Sequence, residues 1–149
     1  MQIRIANRQD EKKIRALAEA VAGAAGREFD LQGADNDLFN VEANYFGKQG
    51  LFLVADRDGE VVAAGGARAK SEDVLEISRF IAAEGESERS EIEAEMLRVI
   101  VEFAPRMLYS GIECSADFRD DLLESRGFDP KGYLKVTPDF SVVQGPAGT

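Results

Sequence analysis

Histidine is absent from the 149 residues, and cysteine occurs once, at Cys114. Without histidine there is no Ser-His or Cys-His nucleophile pair, and a zinc site would have to be built from carboxylates alone. A lone cysteine excludes an internal disulfide, and Cys114, near a strand end, reads as a small core residue. Long apolar runs are missing too. No window reaches the ~20 apolar residues of a membrane-spanning helix, and Met1-Gln2-Ile3-Arg4-Ile5 lacks the apolar core of a secretory signal. The expected location is the cytoplasm. Positive charge is scarce: Lys plus Arg total 18 against 28 Asp plus Glu, a net charge of -10. Such an excess disfavours nucleic acid and anionic membranes as partners and suits a cationic one. An acidic surface that only keeps the chain soluble accounts for it equally well.

What remains is a globular composition, 44% hydrophobic and 31% charged. The length suits one domain, expected over residues 1–143, with Gln144 to Thr149 as a loose tail. Gln2 to Ala6 alternates as a short strand. Asn7 or Asp10 is placed to cap a helix from Glu11 to Ala25, whose stripe is Ile14, Leu17, Ala18, Val21 and Ala22, with Gly26 as its stop. A short helix is expected around Asp37 to Tyr45, carrying Leu38, Val41 and Tyr45 on one side. Two apolar runs, Leu51 to Ala55 and Val61 to Ala67, flank Asp58-Gly59 and predict a tight β-hairpin. The Gly65-Gly66 pair suggests a bulge or close backbone approach.

Val74 to Ala82 is the next strand, with Leu75, Ile77, Arg79 and Ile81 on one face and Glu76, Ser78 and Phe80 on the other. Arg79 on an apolar face calls for a buried carboxylate. An acidic loop, Glu84 to Arg89, leads to a helix from Ser90 to Ala104, where Ser90 and Glu93 have the spacing of a capping box and Pro105 marks the end. Met107 to Cys114 reads as a strand. Asp117 can cap a short helix with Phe118, Leu122 and Leu123, closed by Gly127-Phe128 as a Schellman stop. Strands at Gly132 to Thr137 and Phe140 to Val143 complete one mixed α/β domain.

This order resembles the GNAT acyltransferase superfamily. The likeness is carried by the hairpin Leu51 to Ala67, by Leu75-Glu-Ile-Ser-Arg-Phe-Ile-Ala82 followed by a loop and a long helix, and by Leu122-Leu-Glu-Ser-Arg-Gly-Phe128. It covers residues 2–137 and implies an α/β (α+β) fold with a mixed, mostly antiparallel central sheet flanked by helices. It also implies transfer of an acetyl or acyl group from acetyl-CoA to a small-molecule or peptide amine, and a homodimer by analogy. The backbone at Phe80 and Ile81 would run beside the pantetheine arm, and Glu76 falls where the family often places its base. With Met96-Leu97 set on the family's paired leucines, the glycine-rich diphosphate loop corresponds to Glu88-Arg89-Ser90-Glu91-Ile92-Glu93. Arg89, Ser90 and Ile92 are then the candidate cofactor contacts, although only Ile92 matches and the glycine positions hold Arg89, Glu91 and Glu93. The family's tyrosine acid falls on Leu123, which leaves Tyr109 as the candidate acid and Tyr133 as a substitute. Ser115 and Asp117 fall near expected coenzyme contacts. Asp35, Asp37 and Glu42 lie in the acceptor-specificity segment and would suit a cationic amine, and Gly65-Gly66 would open space for it. The alternatives are a module of the same fold that has lost acetyl-CoA binding and serves as a binding or regulatory domain, and an enzyme of the same fold that uses an unusual acyl carrier presenting no pyrophosphate.

Overall fold

The computed structural model describes residues 1–141. Six strands run in the order β1 (Gln2–Ile5), β2 (Leu51–Arg57), β3 (Glu60–Ala69), β4 (Val74–Ala82), β5 (Gly111–Cys114) and β6 (Tyr133–Lys135) across one sheet. Every neighbouring pair is antiparallel except β4 and β5, which are parallel and joined through the long helix α3 (Arg89–Arg106). This is the mixed, mostly antiparallel sheet expected from the sequence. The helix α1 (Glu11–Ala24) and the short α2 (Val41–Asn44) cover one face, and α3 with α4 (Asp120–Ser125) covers the other. No described helix is long and apolar enough to cross a membrane.

The periodic segments fold as their patterns dictate. Ile14, Leu17 and Ala18 of α1 are buried with Leu38, Val41 and Tyr45 against Phe52 and Val54. The segment expected as one helix from Asp37 to Tyr45 is two pieces, because the Asn40 side chain caps a new start by accepting from the Ala43 amide at 3.0 Å. Asn7 caps the single turn before α1, with Asp10 completing its capping box. Asp58 and Gly59 take φ of 53° and 88°, the doubly left-handed geometry of a type I′ hairpin turn. The C-terminus of α4 is a Schellman stop: Gly127 has φ 94°, its amide donates to Glu124, and the Phe128 amide donates to Leu123 at 3.0 Å.

Several local expectations are corrected. Ser90 does not cap α3: the helix starts at Arg89 with Glu88 as N-cap and no side-chain cap bond. Glu93, the other half of the expected box, is 0% exposed and bonded instead to Arg89 and Arg119. Nor does Pro105 end the helix, which runs to Arg106 because the carbonyls of Phe103, Ala104 and Pro105 find partners in the amides of Met107, Leu108 and Tyr109. That turn takes up the start of the expected strand, so β5 begins only at Gly111. Asp117 does not cap α4, whose N-cap is Arg119. The strand expected at Phe140 to Val143 is helical at Phe140 and Ser141, and its remainder, with the tail from Gln144, lies outside the described residues.

Candidate active site

The parallel ladder between β4 and β5 runs only from Val74↔Gly111 to Ile77↔Cys114. The Ile77 carbonyl then accepts from the amides of both Ser115 and Ala116, at 3.0 and 3.1 Å, which turns that chain away from β4. At the same point β4 is irregular. Gly66 pairs with Arg79 and Ala67 with Ile77, so Ser78 is an extra residue, a β-bulge. The bulge shifts the side-chain alternation by one. Leu75 and Ile77 face α3, but so do Phe80 and Ala82, whereas Ile81 is buried against α1. The expected grouping of Arg79 and Ile81 with Leu75 and Ile77 is thereby corrected.

Beyond the bulge, β4 is paired with β3 alone. The Ala83 amide donates to Val62 of β3 at 2.9 Å, so strand alternation turns the N–H and C=O of Phe80 and Ala82 to the unpaired side. A cleft of about 230 Å³ lies there, lined by Ser78, Phe80, Ala82, Arg89, Ser115 and Asp117 among others. Phe80 packs on Phe118 with ring centroids 4.8 Å apart, and the Arg89 guanidinium stands 5.3 Å over the Phe80 ring. Ile81 also lines the cleft, while the side chain of Ile92 is wholly in the core.

On the α1–α2 face, the bulge aims Arg79 at the loop before α2. Its guanidinium bonds Asp35 through Nη1 at 3.0 Å and Asp37 through Nε at 3.1 Å and Nη2. Burial would lower the Arg79 pKa, but the bonds to Asp37 and Asp35 outweigh it and raise it further. The Tyr45 hydroxyl donates to Asp37 and lies 3.2 Å from the Ser78 hydroxyl. Its own pKa is pushed up by burial and by Asp37. Arg79 thus has the buried carboxylates its position called for. Asp35 and Asp37 are not available to a cationic acceptor, and Glu42 pairs with Arg8 at 2.9 Å. Gly65-Gly66 opens no space for a substrate either: a Cβ on Gly66 would meet Tyr45 Cε1 at 2.8 Å and overlap the Phe52 ring. The pair stands opposite the bulge.

Glu76 is half-buried on the face opposite Leu75 and Ile77, between Arg68 of β3 and Glu113 of β5 in the register. The Ser115 hydroxyl donates to its Oε2 at 2.8 Å. The structure does not bring Tyr109 to this point. It follows α3, is 1% exposed, and donates its hydroxyl to the Gln49 carbonyl at 2.9 Å. Its pKa is raised by burial. Tyr133 stands opposite Glu113, in register with Glu76 across β5, and its ring leans over Gly111. Leu123 is in the core. Burial lifts the Cys114 thiol to about 11, so it stays protonated at neutral pH.

At the start of α3 the chain supplies its own anions. Glu86 accepts the Glu88 amide at 2.8 Å and both Nη atoms of Arg57 at 2.8 Å. Its pKa is drawn down to about 2, first by Arg57 and then by that amide. Glu88 also pairs with Arg57. Glu93 accepts from Arg89 Nε at 2.9 Å and from the Arg119 backbone amide at 3.3 Å, with Arg119 Nε at 3.4 Å. Sequence reading missed Arg119, which lies 26 residues from its partner. Ser90 and Glu91 are exposed, and among the described residues their amides have no partner.

Coenzyme A would bring two chemistries to this region, an amide-bearing arm and a diphosphate. The open strand groups of Phe80 and Ala82 fit the first. The second does not fit: the Glu86 carboxylate takes the N-cap amide of Glu88, and the open amides of Ser90 and Glu91 stand in a segment that also carries Glu84, Glu88 and Glu91. Arg57, Arg89 and Arg119 near the helix start are each set against a carboxylate of the chain itself, whereas Arg27, which also lines the cleft, enters no ion pair among the described residues.

No protein-family model matches the sequence, and a search of the curated proteins finds no match. Solved structures do match. A GNAT-family acetyltransferase from Staphylococcus aureus Mu50 superposes with a TM-score of 0.67 at 18% identity, over 85% of this chain and 79% of that one. A GNAT-family acetyltransferase from Brucella melitensis in complex with acetyl-CoA gives 0.65 at 20%, over 93% and 89%. An aminoglycoside 6'-N-acetyltransferase from Enterococcus faecium gives 0.59 at 11%, over 76% and 61%. The chain has the GNAT acetyltransferase fold.

Proposed function

We propose that this chain is an N-acyltransferase that draws an acyl thioester along the open edge of β4 and passes the acyl group to an amine, with Glu76 as base. The observation that supports it most is the break in the β4–β5 ladder after Ile77, which leaves the strand groups of Phe80 and Ala82 unpaired in a cleft. The thioester donor is carried over from the fold's enzymes, of which the Brucella structure holds acetyl-CoA. In the transfer the amine nitrogen attacks the thioester carbonyl, the C–N bond forms, and the C–S bond breaks with its electrons leaving on sulfur. An amine arrives largely as ammonium at neutral pH, so a base must first take a proton. Glu76 has one carboxylate oxygen held by Ser115, and the other, without a hydrogen-bond partner among the described residues, takes that proton. The departing thiolate is protonated from solvent through the cleft. A small-molecule amine is the favoured acceptor class, by analogy with the aminoglycoside enzyme.

A second reading, a binding module without catalysis, is favoured by Leu123 and by the engaged hydroxyl of Tyr109, which remove two of the positions considered for the acid. Release of free thiol from acetyl-pantetheine and acetyl-CoA in the presence of a panel of primary amines separates the two. Turnover is expected, with Glu76→Gln lowering kcat by ~10²-fold, the low end for loss of a general base, and Glu76→Asp retaining part of the rate. Saturable binding without thiol release would favour the module. Failure of both thioesters to bind would sink the acyl-transfer reading.

A further inference from the structure

Resting on the acyl-transfer reading above, we propose that the acyl donor of this chain is a pantetheine-type thioester whose carrier presents no diphosphate to the start of α3. The arm and the diphosphate of a coenzyme A thioester meet two different surfaces here. The arm meets backbone groups of Phe80 and Ala82 and the ring of Phe80. The diphosphate would meet a helix start in which the chain has installed a carboxylate of its own. Glu86, with its side chain 5% exposed, is gripped by both Nη atoms of Arg57 and accepts the Glu88 amide, the kind of bond an external anion would otherwise receive there.

Charge around that point reinforces the exclusion. Glu84 and Glu91 are exposed, and neither enters an ion pair among the described residues. The arginines at the helix start do not reverse it, and the one unpaired arginine of the cleft among the described residues, Arg27, is carried by the segment after α1. Arg57 serves Glu86 and Glu88, and Arg89 and Arg119 share the wholly buried Glu93 through their Nε edges. Arg89, Glu91 and Glu93 carry side chains at the start of α3, where glycines would let a phosphate approach the backbone more closely. The chemistry of transfer is unchanged by the carrier: the C–N bond forms, the C–S bond breaks, and the ammonium nitrogen gives up two protons, one through Glu76 to solvent and one matched by the proton the leaving thiolate takes up.

Two carriers share this chemistry, a free pantetheine thioester and a pantetheine arm borne by a larger carrier through a single phosphodiester. Three donors therefore test the inference: acetyl-pantetheine, acetyl-phosphopantetheine and acetyl-CoA, compared by kcat/KM for thiol release with one amine at low salt. The expected order is acetyl-pantetheine at or above acetyl-phosphopantetheine, with acetyl-CoA last by ~10-fold or more, a gap that narrows as salt screens the repulsion. Rough equality of the first two points to the carrier-borne arm, and a fall already at the monophosphate points to the free thioester. Either supports the inference. Glu91→Gln, an exposed change that leaves the fold intact, should raise the acetyl-CoA rate several-fold and leave acetyl-pantetheine unchanged. Preference for acetyl-CoA over acetyl-pantetheine would overturn the inference while leaving acyl transfer standing. Thiol release from none of the three would overturn both.

Discussion

At the β4 end of the cleft the groups offered to a ligand are backbone groups, exposed because the bulge at Ser78 coincides with the departure of β5. At the α3 end the corresponding groups are helix amides, and they stand among carboxylates that this sequence has placed there. The first surface depends on strand pairing and tolerates most side-chain changes as long as the pairing survives. The second depends on a few side chains and is altered by replacing them. A shared fold therefore carries over the thioester edge more securely than the diphosphate site.

The contrast breaks most readily at Arg79. Its removal leaves Asp35 and Asp37 buried without a cation, and Arg79→Ala should cost about 3–5 kcal/mol of stability, read by urea unfolding. A loss below 1 kcal/mol would show that the network does not hold the bulge. Glu93→Ala at the other end should cost less, about 2–3 kcal/mol, because the stranded Arg89 and Arg119 are half-exposed and can turn to water. Equal losses would erase the difference between the two ends.

Acid titration sharpens the same comparison. Arg57 holds Glu86 near 2, and Arg4 holds Asp10 below the usual carboxylate range. Both groups titrate near 4 in the unfolded chain. Because the folded values are the lower ones, their stabilisation is complete above about pH 5 and is lost as pH falls toward 2. Urea midpoints should decline across that window, and Arg57→Gln should make the decline shallower. An unchanged pH profile in Arg57→Gln would mean that Glu86 is not held by Arg57. The smallest effect belongs to Glu91→Gln, whose stability should stay within about 0.5 kcal/mol of the wild type, since the side chain is exposed.

Much of the fold could be read from local residues. The Asp58-Gly59 turn and the Gly127-Phe128 stop are set within a few residues, and both have the expected geometry. The bulge could not be read that way. A strict period of two assigns Arg79 to the same face as Leu75 and Ile77, and only the pairing with Gly66 and Ala67 shows the extra residue at Ser78. Glu93 was obscured for a similar reason: its spacing from Ser90 imitates a capping box, while its partner Arg119 lies on a different element. Tyr109 and the acidic set at Asp35 and Asp37 have chemistry suited to a site, and in the fold they are occupied by Gln49 and Arg79. What a side chain is free to do depends on distant partners.

The most direct test of a thioester lying along β4 is a backbone amide NMR titration with acetyl-pantetheine. The expected result is that the largest shifts and the slowed exchange fall on Phe80 and Ala82, with Ser90 and Glu91 unmoved. Shifts concentrated at Ser90 to Ile92, or none along β4 at saturating ligand, would contradict it.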